Sequence, residues 1–141
     1  MAHIKYILIA VVFLNPGYIN AELPNQNAIA SAHPLATQAG HLILQKGGNA
    51  FDAAVAVSAA LSVVEPYSSG LGGGGFFLLY RNRDNFTTFI DGREVAPLMS
   101  DPDMYLDSNK NFIPKSSLVG PLASGIPGLP AALVHVSKQY G

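Results

Sequence analysis

Apolar residues first recur with a helical period just after the His33-Pro34 dipeptide. Proline suits the first turn of a helix, because its N–H would have no partner there and its fixed φ is already helical. The apolar stripe that follows consists of Leu35, Ala36, Ala39, Leu42 and Ile43. This spacing predicts an amphipathic helix that ends at Gly47-Gly48, where glycine accepts the left-handed cap conformation.

A second helix is predicted over residues 50–64 (AFDAAVAVSAALSVV), with Asn49 as its N-cap and Pro66 as its stop. Small apolar residues occur on every side of this helix, so we expect it to be buried on most sides and closely packed. A short alternation of apolar residues at 25–32 precedes both helices and predicts a first strand.

The period then changes from helical to extended, which predicts a β-hairpin. Residues 76–80 (FFLLY) form a short apolar run, residues 81–85 a polar turn, and residues 86–91 the returning strand. Residues 101–106 predict one or two helical turns, residues 123–130 a loop or strand, and residues 131–140 a last helix. Helices combined with an antiparallel hairpin indicate the α+β class and disfavour a doubly wound parallel sheet.

The predicted hairpin is too small for the predicted helices, because two strands cannot cover two long apolar helices. The chain shows no internal repeat and no linker between domains. We therefore expect residues 22–141 to be the front part of a larger domain.

The first 21 residues have the order of a secretory signal. Lys5 precedes nine apolar residues at 6–14, and Asn15-Pro16-Gly17 and the small Ala21 follow. Nine apolar residues cannot cross a bilayer, which needs about 20, and a buried N-terminal strand is the alternative interpretation. The pattern predicts export. Because the chain has no cysteine, a bacterial periplasm or the medium fits better than a disulfide-rich animal secretion.

Composition removes several classes of function. The 141 residues are 49% apolar and 12% charged, with 8 Lys and Arg against 9 Asp and Glu, for a net charge of -1. That apolar fraction excludes intrinsic disorder, and the near-zero charge disfavours nucleic-acid binding. Zero cysteines exclude disulfides, thiolate zinc sites and a cysteine nucleophile. The histidines His33, His41 and His135 lack metal-ligand spacing, so we assign them to structure.

The densest feature is the glycine loop at residues 68–75 (SSGLGGGG). Glycine is required where φ is positive or where another group closely approaches the backbone, so one of these conditions is expected in this loop. A phosphate-binding loop is disfavoured because a strand follows, without the Lys-Ser or Lys-Thr and the helix which that motif requires. Two interpretations stay open: a tight loop that leads into the strand and packs on the small-residue helix, or a wall of a substrate pocket.

A single arginine, Arg93, follows the second predicted strand between Asp91 and Glu94. A surface ion pair with either carboxylate is one interpretation, and composition alone favours it. The functional alternative is that the planar guanidinium binds a carboxylate ligand through two parallel hydrogen bonds.

Five motifs in the same order resemble the γ-glutamyltranspeptidases, also called glutathione hydrolases. They are GGNAFDAAVA at 47–56, VEP at 64–66, the glycine loop at 69–76, REVAP at 93–97 and ASGIPG at 123–128. The resemblance implies an N-terminal-nucleophile hydrolase with an αββα sandwich, of which this chain is an incomplete part. It also implies an exported precursor that cleaves itself into a large and a small subunit. The new N-terminal threonine of the small subunit then attacks the γ-glutamyl amide.

The resemblance assigns one site residue to this chain. Arg93 matches the family arginine that binds the α-carboxylate of the γ-glutamyl group, while Gly92 stands where members often carry a bulkier residue. No catalytic residue is expected here, because the resemblance implies that the threonine nucleophile and the oxyanion-hole glycines lie beyond Gly141. No metal ligand is expected either. No cofactor is implied.

The expected partners are a γ-glutamyl substrate such as glutathione, the remainder of the large subunit, and the small subunit. Two alternatives remain beside the enzyme. One is a non-catalytic exported remnant, and the other is a related acyl-processing hydrolase with another substrate.

Overall fold

A computed structural model describes residues 27–141, which fold as a helical pair, an antiparallel hairpin and a last helix. The predicted export signal lies outside the described residues. The main elements are α1 (Pro34–Gln45), α2 (Ala50–Val64), β1 (Gly75–Arg81), β2 (Phe86–Gly92) and α3 (Leu129–Tyr140). Short 3-10 helices occur at Asn82–Asp84 and Pro121–Ala123. This mixture confirms the predicted α+β class.

Local capping defines where the first two helices begin and end. His33 lies at the N-cap of α1, and its Nδ1 accepts a hydrogen bond from the Leu35 N–H at 3.2 Å. Gly47 ends the helix with φ at 91°, as the sequence predicts. Asn49 and Asp52 then form a reciprocal capping box at the start of α2.

The two helices pack closely because small residues lie where they cross. A methyl group at Gly40 would lie 2.6 Å from Ile29 Cδ1 and 2.8 Å from Val57 Cγ2. Ala36 of α1 is fully buried, and Ala53 of α2 is almost so. The expectation that α2 is buried on most sides is wrong: Ala53 is its only buried residue, because α1 and α3 cover only part of its circumference.

The hairpin agrees with the sequence prediction and is extended by a residue at three of its four strand ends. Its antiparallel register pairs Gly75 with Gly92 and Arg81 with Phe86. One face carries the buried Leu79, whereas Leu78 on the opposite face is 74% exposed. The period-2 alternation therefore separates a covered face from an open apolar face.

Helix α3 joins the helical pair to the hairpin. Its buried residues, Leu129, Ala132, Leu133 and Val136, form most of the core of the described residues. The Tyr140 ring lies 5.9 Å from the ring of Phe51 and 6.0 Å from that of Phe86. The Asn49 amide also donates a hydrogen bond to the Tyr140 carbonyl at 2.7 Å. The helix begins at Leu129, two residues before the predicted position.

The predicted first strand is not formed in its described part, residues 27–32. Within the described part of the chain the sheet consists of β1 and β2, and residues 27–32 pair with neither strand. The apolar alternation has a different cause, because Ile29 extends to the crossing of the helices beside Gly40.

Residues 101–106 form turns rather than the predicted helical turns. The Asp101 carboxylate accepts the Asp103 N–H at 2.7 Å, and the Asp107 carboxylate accepts the N–H groups of Asn109 and Asn111. Such side-chain bonds to nearby backbone compete with helix formation. The Asn111 N–H is also the main cause that lowers the pKa of Asp107. Residues 123–130 are mainly loop, with a single bridge between Val95 and Ile126.

Three backbone segments meet at Gly74, Gly92 and Gly128, which we call the glycine junction. The Gly73 carbonyl accepts the N–H groups of both Gly128 and Leu129 at 3.1 Å. A methyl group at Gly74 would lie 2.7 Å from the Arg93 Cα and from the Gly92 carbonyl oxygen. One at Gly128 would overlap the carbonyl oxygens of Gly92 and Arg93. The three segments can approach this closely only without side chains.

Because the groups that meet the added methyl are backbone atoms, Gly128→Ala should destabilise the protein by about 1–3 kcal/mol, the usual cost of overpacking. The matched control is Gly72→Ala in the same loop system, where nothing lies within 4 Å of the added methyl. We expect the control to stay within about 0.5 kcal/mol of the parent. Urea unfolding of the purified protein measures both. Equal stability of the two variants would show that the junction is not tightly packed.

Candidate functional site

Arg93 emerges from the hairpin at the glycine junction, and its backbone is fixed on both sides. Its N–H donates a hydrogen bond to Asp91 Oδ1 at 2.9 Å. Two residues later, Val95 and Ile126 exchange backbone hydrogen bonds of 3.2 and 2.8 Å. Gly74 lies directly against the Arg93 Cα. The position of this residue is therefore determined by its own strand end, by the glycine loop and by the segment that contains Ile126.

The Arg93 side chain, in contrast, is open to solvent. It is 69% exposed, and its Nε lies 3.9 Å from Glu94 Oε2, which is beyond hydrogen-bond distance. The surface ion pair favoured by composition is thus present only as a loose contact between exposed groups, which contributes little stability. Within residues 27–141, the guanidinium donates no hydrogen bond that meets ordinary geometry.

Arg81, at the other end of the hairpin, is an arginine whose side chain is bound by neighbouring groups. Its Nε and Nη2 donate to the two carboxylate oxygens of Asp84 at 3.0 and 2.8 Å. The hydrogen bond from Arg81 lowers the pKa of Asp84. The Arg81 guanidinium also lies 4.9 Å from the centre of the Phe86 ring. Among residues 27–141, Arg93 has neither a hydrogen-bonded carboxylate nor an aromatic ring as a partner, so its planar donors are available to a ligand.

The glycine loop forms one side of the surroundings of Arg93. A methyl group at Gly74 would lie 2.7 Å from Glu94 Oε2, and one at Gly73 would lie 3.4 Å from Oε1. Close approach therefore requires glycine at Gly74, whereas nothing lies within 4 Å of a methyl group at Gly72. Positive φ is not the reason for the loop glycines, since among the described glycines it occurs at Gly47 and Gly120. The atoms nearest to the loop glycines lie outside α2, so the predicted packing of these glycines on the small-residue helix is not found.

A groove of the described residues lies away from Arg93. It has a volume of about 570 Å³ and runs between residues 27–30, α2 and the start of β1. Its lining is mostly small and apolar, including Ala53, Ala54 and Val57, and contains no ionisable side chain. Arg93 does not line it. The groove consequently lacks the groups needed to bind or activate an anionic substrate.

Other chemical features are sparse in residues 27–141. Histidine, aspartate and glutamate side chains nowhere gather in threes that could hold a metal ion. No helix in this range has the length and apolar character needed to cross a membrane. His33 caps α1, and the ring centre of His135 lies 6.0 Å from that of Tyr140. Arg93 is left as the candidate for ligand binding.

Comparison with known proteins places this geometry in context. Residues 36–141 match the model of the gamma-glutamyltranspeptidase family. The chain is 45% identical over 125 residues to the glutathione hydrolase proenzyme of Bacillus subtilis. The matched region covers 88% of this chain and 21% of that protein. The chain thus spans about a fifth of the length of this curated relative.

Solved structures agree with the sequence relatives. The gamma-glutamyltranspeptidase of Helicobacter pylori superposes with a TM-score of 0.75 at 42% identity, over 84% of this chain and 35% of that one. A cephalosporin acylase from Bacillus halodurans superposes with a TM-score of 0.67 at 29% identity, over 90% of this chain and 24% of that one. Similarity in sequence and in fold extends over most of the described residues. The chain belongs to the gamma-glutamyltranspeptidase family.

Proposed function

We propose that this chain is the N-terminal part of the large subunit of an exported γ-glutamyltransferase, or glutathione hydrolase. The observation that supports the proposal is Arg93, whose backbone is held by a hydrogen bond while its guanidinium makes none within the described residues. The relatives of this chain are glutathione hydrolases. The complete enzyme would cleave the γ-glutamyl amide of glutathione and pass the acyl group to water or to an amino acid.

In this proposal Arg93 binds the free α-carboxylate of the γ-glutamyl group. A guanidinium and a carboxylate match in shape, so two parallel hydrogen bonds can form and fix orientation as well as position. The α-carboxylate lies several bonds from the scissile amide. Holding it directs the amide carbonyl toward the nucleophile, which lowers the entropic part of the activation barrier.

The chemical steps belong to residues beyond Gly141. An N-terminal threonine hydroxyl attacks the amide carbonyl while its own amine accepts the hydroxyl proton. The amine then donates this proton to the leaving nitrogen, the C–N bond breaks, and an acyl-enzyme and a free amine remain. Water or an amino acid then attacks the acyl-enzyme and regenerates the threonine. Arg93 cannot replace this nucleophile, because a guanidinium stays protonated and is a poor base.

A second candidate is an acyl-processing hydrolase with another substrate. The specific observation in its favour is the TM-score of 0.67 to the Bacillus halodurans cephalosporin acylase, which shows that a similar scaffold occurs in a protein named for another amide substrate. The guanidinium of Arg93 could bind an anionic group of either substrate, so this residue does not separate the two candidates. Glutathione hydrolysis is favoured by the higher identity to the glutathione hydrolases.

The charged, apolar and small-residue order of residues 1–21 leads us to expect a mature N-terminus near Glu22 in the periplasm or the medium. Mass spectrometry of the exported fraction from a bacterial host measures that terminus directly. A variant with Ala10→Arg, which interrupts the apolar segment at its centre, should stay in the cytoplasm. Soluble cytoplasmic protein that retains Met1 would contradict the expectation of export.

Purified residues 22–141 alone should release no glutamate from glutathione above a buffer blank, because the nucleophile is missing. We expect this chain to be poorly soluble, since Val63 is 78% and Leu78 is 74% exposed. The full-length protein should release glutamate from glutathione and leave the side-chain amide of a cephalosporin intact. Turnover by the short chain would contradict our assignment of catalysis, and the reverse substrate preference would favour the acylase.

Arg93→Ala in the full-length enzyme should lower kcat/KM for a γ-glutamyl anilide about ten- to hundredfold, because a hydrogen bond to a charged group contributes about 1.5–3 kcal/mol. Arg93→Lys keeps the charge but loses the two parallel bonds, so an intermediate value is expected. Arg83→Ala is the matched control, since Arg83 is also exposed but lies in the hairpin turn. Self-cleavage is confirmed first. If Arg93→Ala equals Arg83→Ala, the carboxylate assignment is wrong.

A further inference from the structure

The carboxylate of Asp91 contacts the backbone of Arg93 and not its side chain. Asp91 Oδ1 accepts the Arg93 N–H at 2.9 Å. The ion pair of the Arg93 guanidinium within the described residues involves Glu94 at 3.9 Å, and none within 4.0 Å involves Asp91. We propose that Asp91 is a positioning residue, which fixes the backbone of Arg93 so that the guanidinium is directed toward the carboxylate of the substrate. This inference rests on the proposed function.

The hydrogen bond occurs where the sheet can no longer supply one. The β ladder ends at the pair of Gly75 and Gly92, so the next N–H, that of Arg93, has no strand partner. Asp91 Oδ1 is the acceptor that this N–H has in the described residues. Without it, the chain could change its φ and ψ angles at Arg93, and these angles determine the direction of the side chain.

The glycine junction restrains Arg93 from the opposite side. Gly74 contacts its Cα, and Gly128 lies against its carbonyl oxygen. These contacts prevent the backbone from moving toward the loop, but they are repulsive and supply no preferred orientation. The hydrogen bond to Asp91 supplies that orientation. Backbone restraint combined with a free guanidinium means that little conformational entropy of the backbone is lost when ligand binds.

The positioning role requires the hydrogen bond that Asp91 accepts and not the negative charge of Asp91. An acceptor oxygen is required for the bond to the Arg93 N–H, but a negative charge is not. An Asp91 carboxylate paired with the guanidinium would compete with the carboxylate ligand, and among the described residues the ion pair of Arg93 is with Glu94 and not with Asp91. The amide oxygen of asparagine can accept the same hydrogen bond in the same geometry.

Asp91→Ala in the full-length enzyme should lower kcat/KM for a γ-glutamyl anilide by about three- to tenfold, because the guanidinium is less well oriented. Asp91→Asn should stay within about twofold of the parent. In an Arg93→Ala background, Asp91→Ala should cause less than about a twofold further loss, since its effect passes through Arg93. Thermal unfolding of each variant verifies that the protein is folded.

A second measurement does not depend on activity. Amide hydrogen exchange of the peptide that contains Arg93, followed by mass spectrometry, should become faster in Asp91→Ala and stay unchanged in Asp91→Asn. If the full-length protein has no γ-glutamyl activity, the proposed function is wrong, and the exchange rates decide separately whether Asp91 restrains Arg93.

Three outcomes would overturn the positioning role while leaving the proposed function intact. Asp91→Ala could match the parent in both activity and exchange. Asp91→Asn could be as impaired as Asp91→Ala, which would make the charge the active feature. The losses from Asp91→Ala and Arg93→Ala could also multiply, which would indicate a general structural effect instead of one that passes through Arg93.

Discussion

The absence of side chains at Gly74, Gly92 and Gly128 is the constraint on which the site depends. Only there can the glycine loop, the end of the hairpin and the start of α3 approach within backbone contact. The carbonyl of Gly73 joins the loop to α3, while Gly92 terminates the β ladder directly before Arg93. A methyl group at this junction would separate the segments that fix the arginine.

The junction explains why a fixed backbone and a free guanidinium occur in the same residue. Arg81 shows the usual result for an exposed arginine, because Asp84 and the Phe86 ring occupy its donors and its face. In Arg93 the backbone, and not the side chain, is held in place, by the hydrogen bond to Asp91 and by contacts with the neighbouring glycines. Its donors can therefore be used by a ligand without first breaking a hydrogen-bonded ion pair such as that of Arg81 with Asp84.

The distribution of exposed apolar side chains supports the proposal that this chain works within a longer protein. One face of the hairpin exposes Phe76, Leu78 and Phe89, and α2 exposes Val63. Such contiguous apolar surface is typical of interfaces. The curated relative from Bacillus subtilis is about five times as long as the matched region, so a protein of that length has further chain with which to cover these faces.

The sequence by itself determined the features that depend on short-range physics. Caps and glycines predicted α1 and α2, alternation predicted the hairpin, and the motif around Arg93 identified the candidate ligand-binding residue. Tertiary structure decided what depends on distant neighbours. Residues 27–32 do not pair as a strand, because strand formation requires a partner that local alternation cannot specify. The extent to which α2 is buried and the close approach of the three glycines also follow from contacts between distant segments, and local sequence carries no information about their distances.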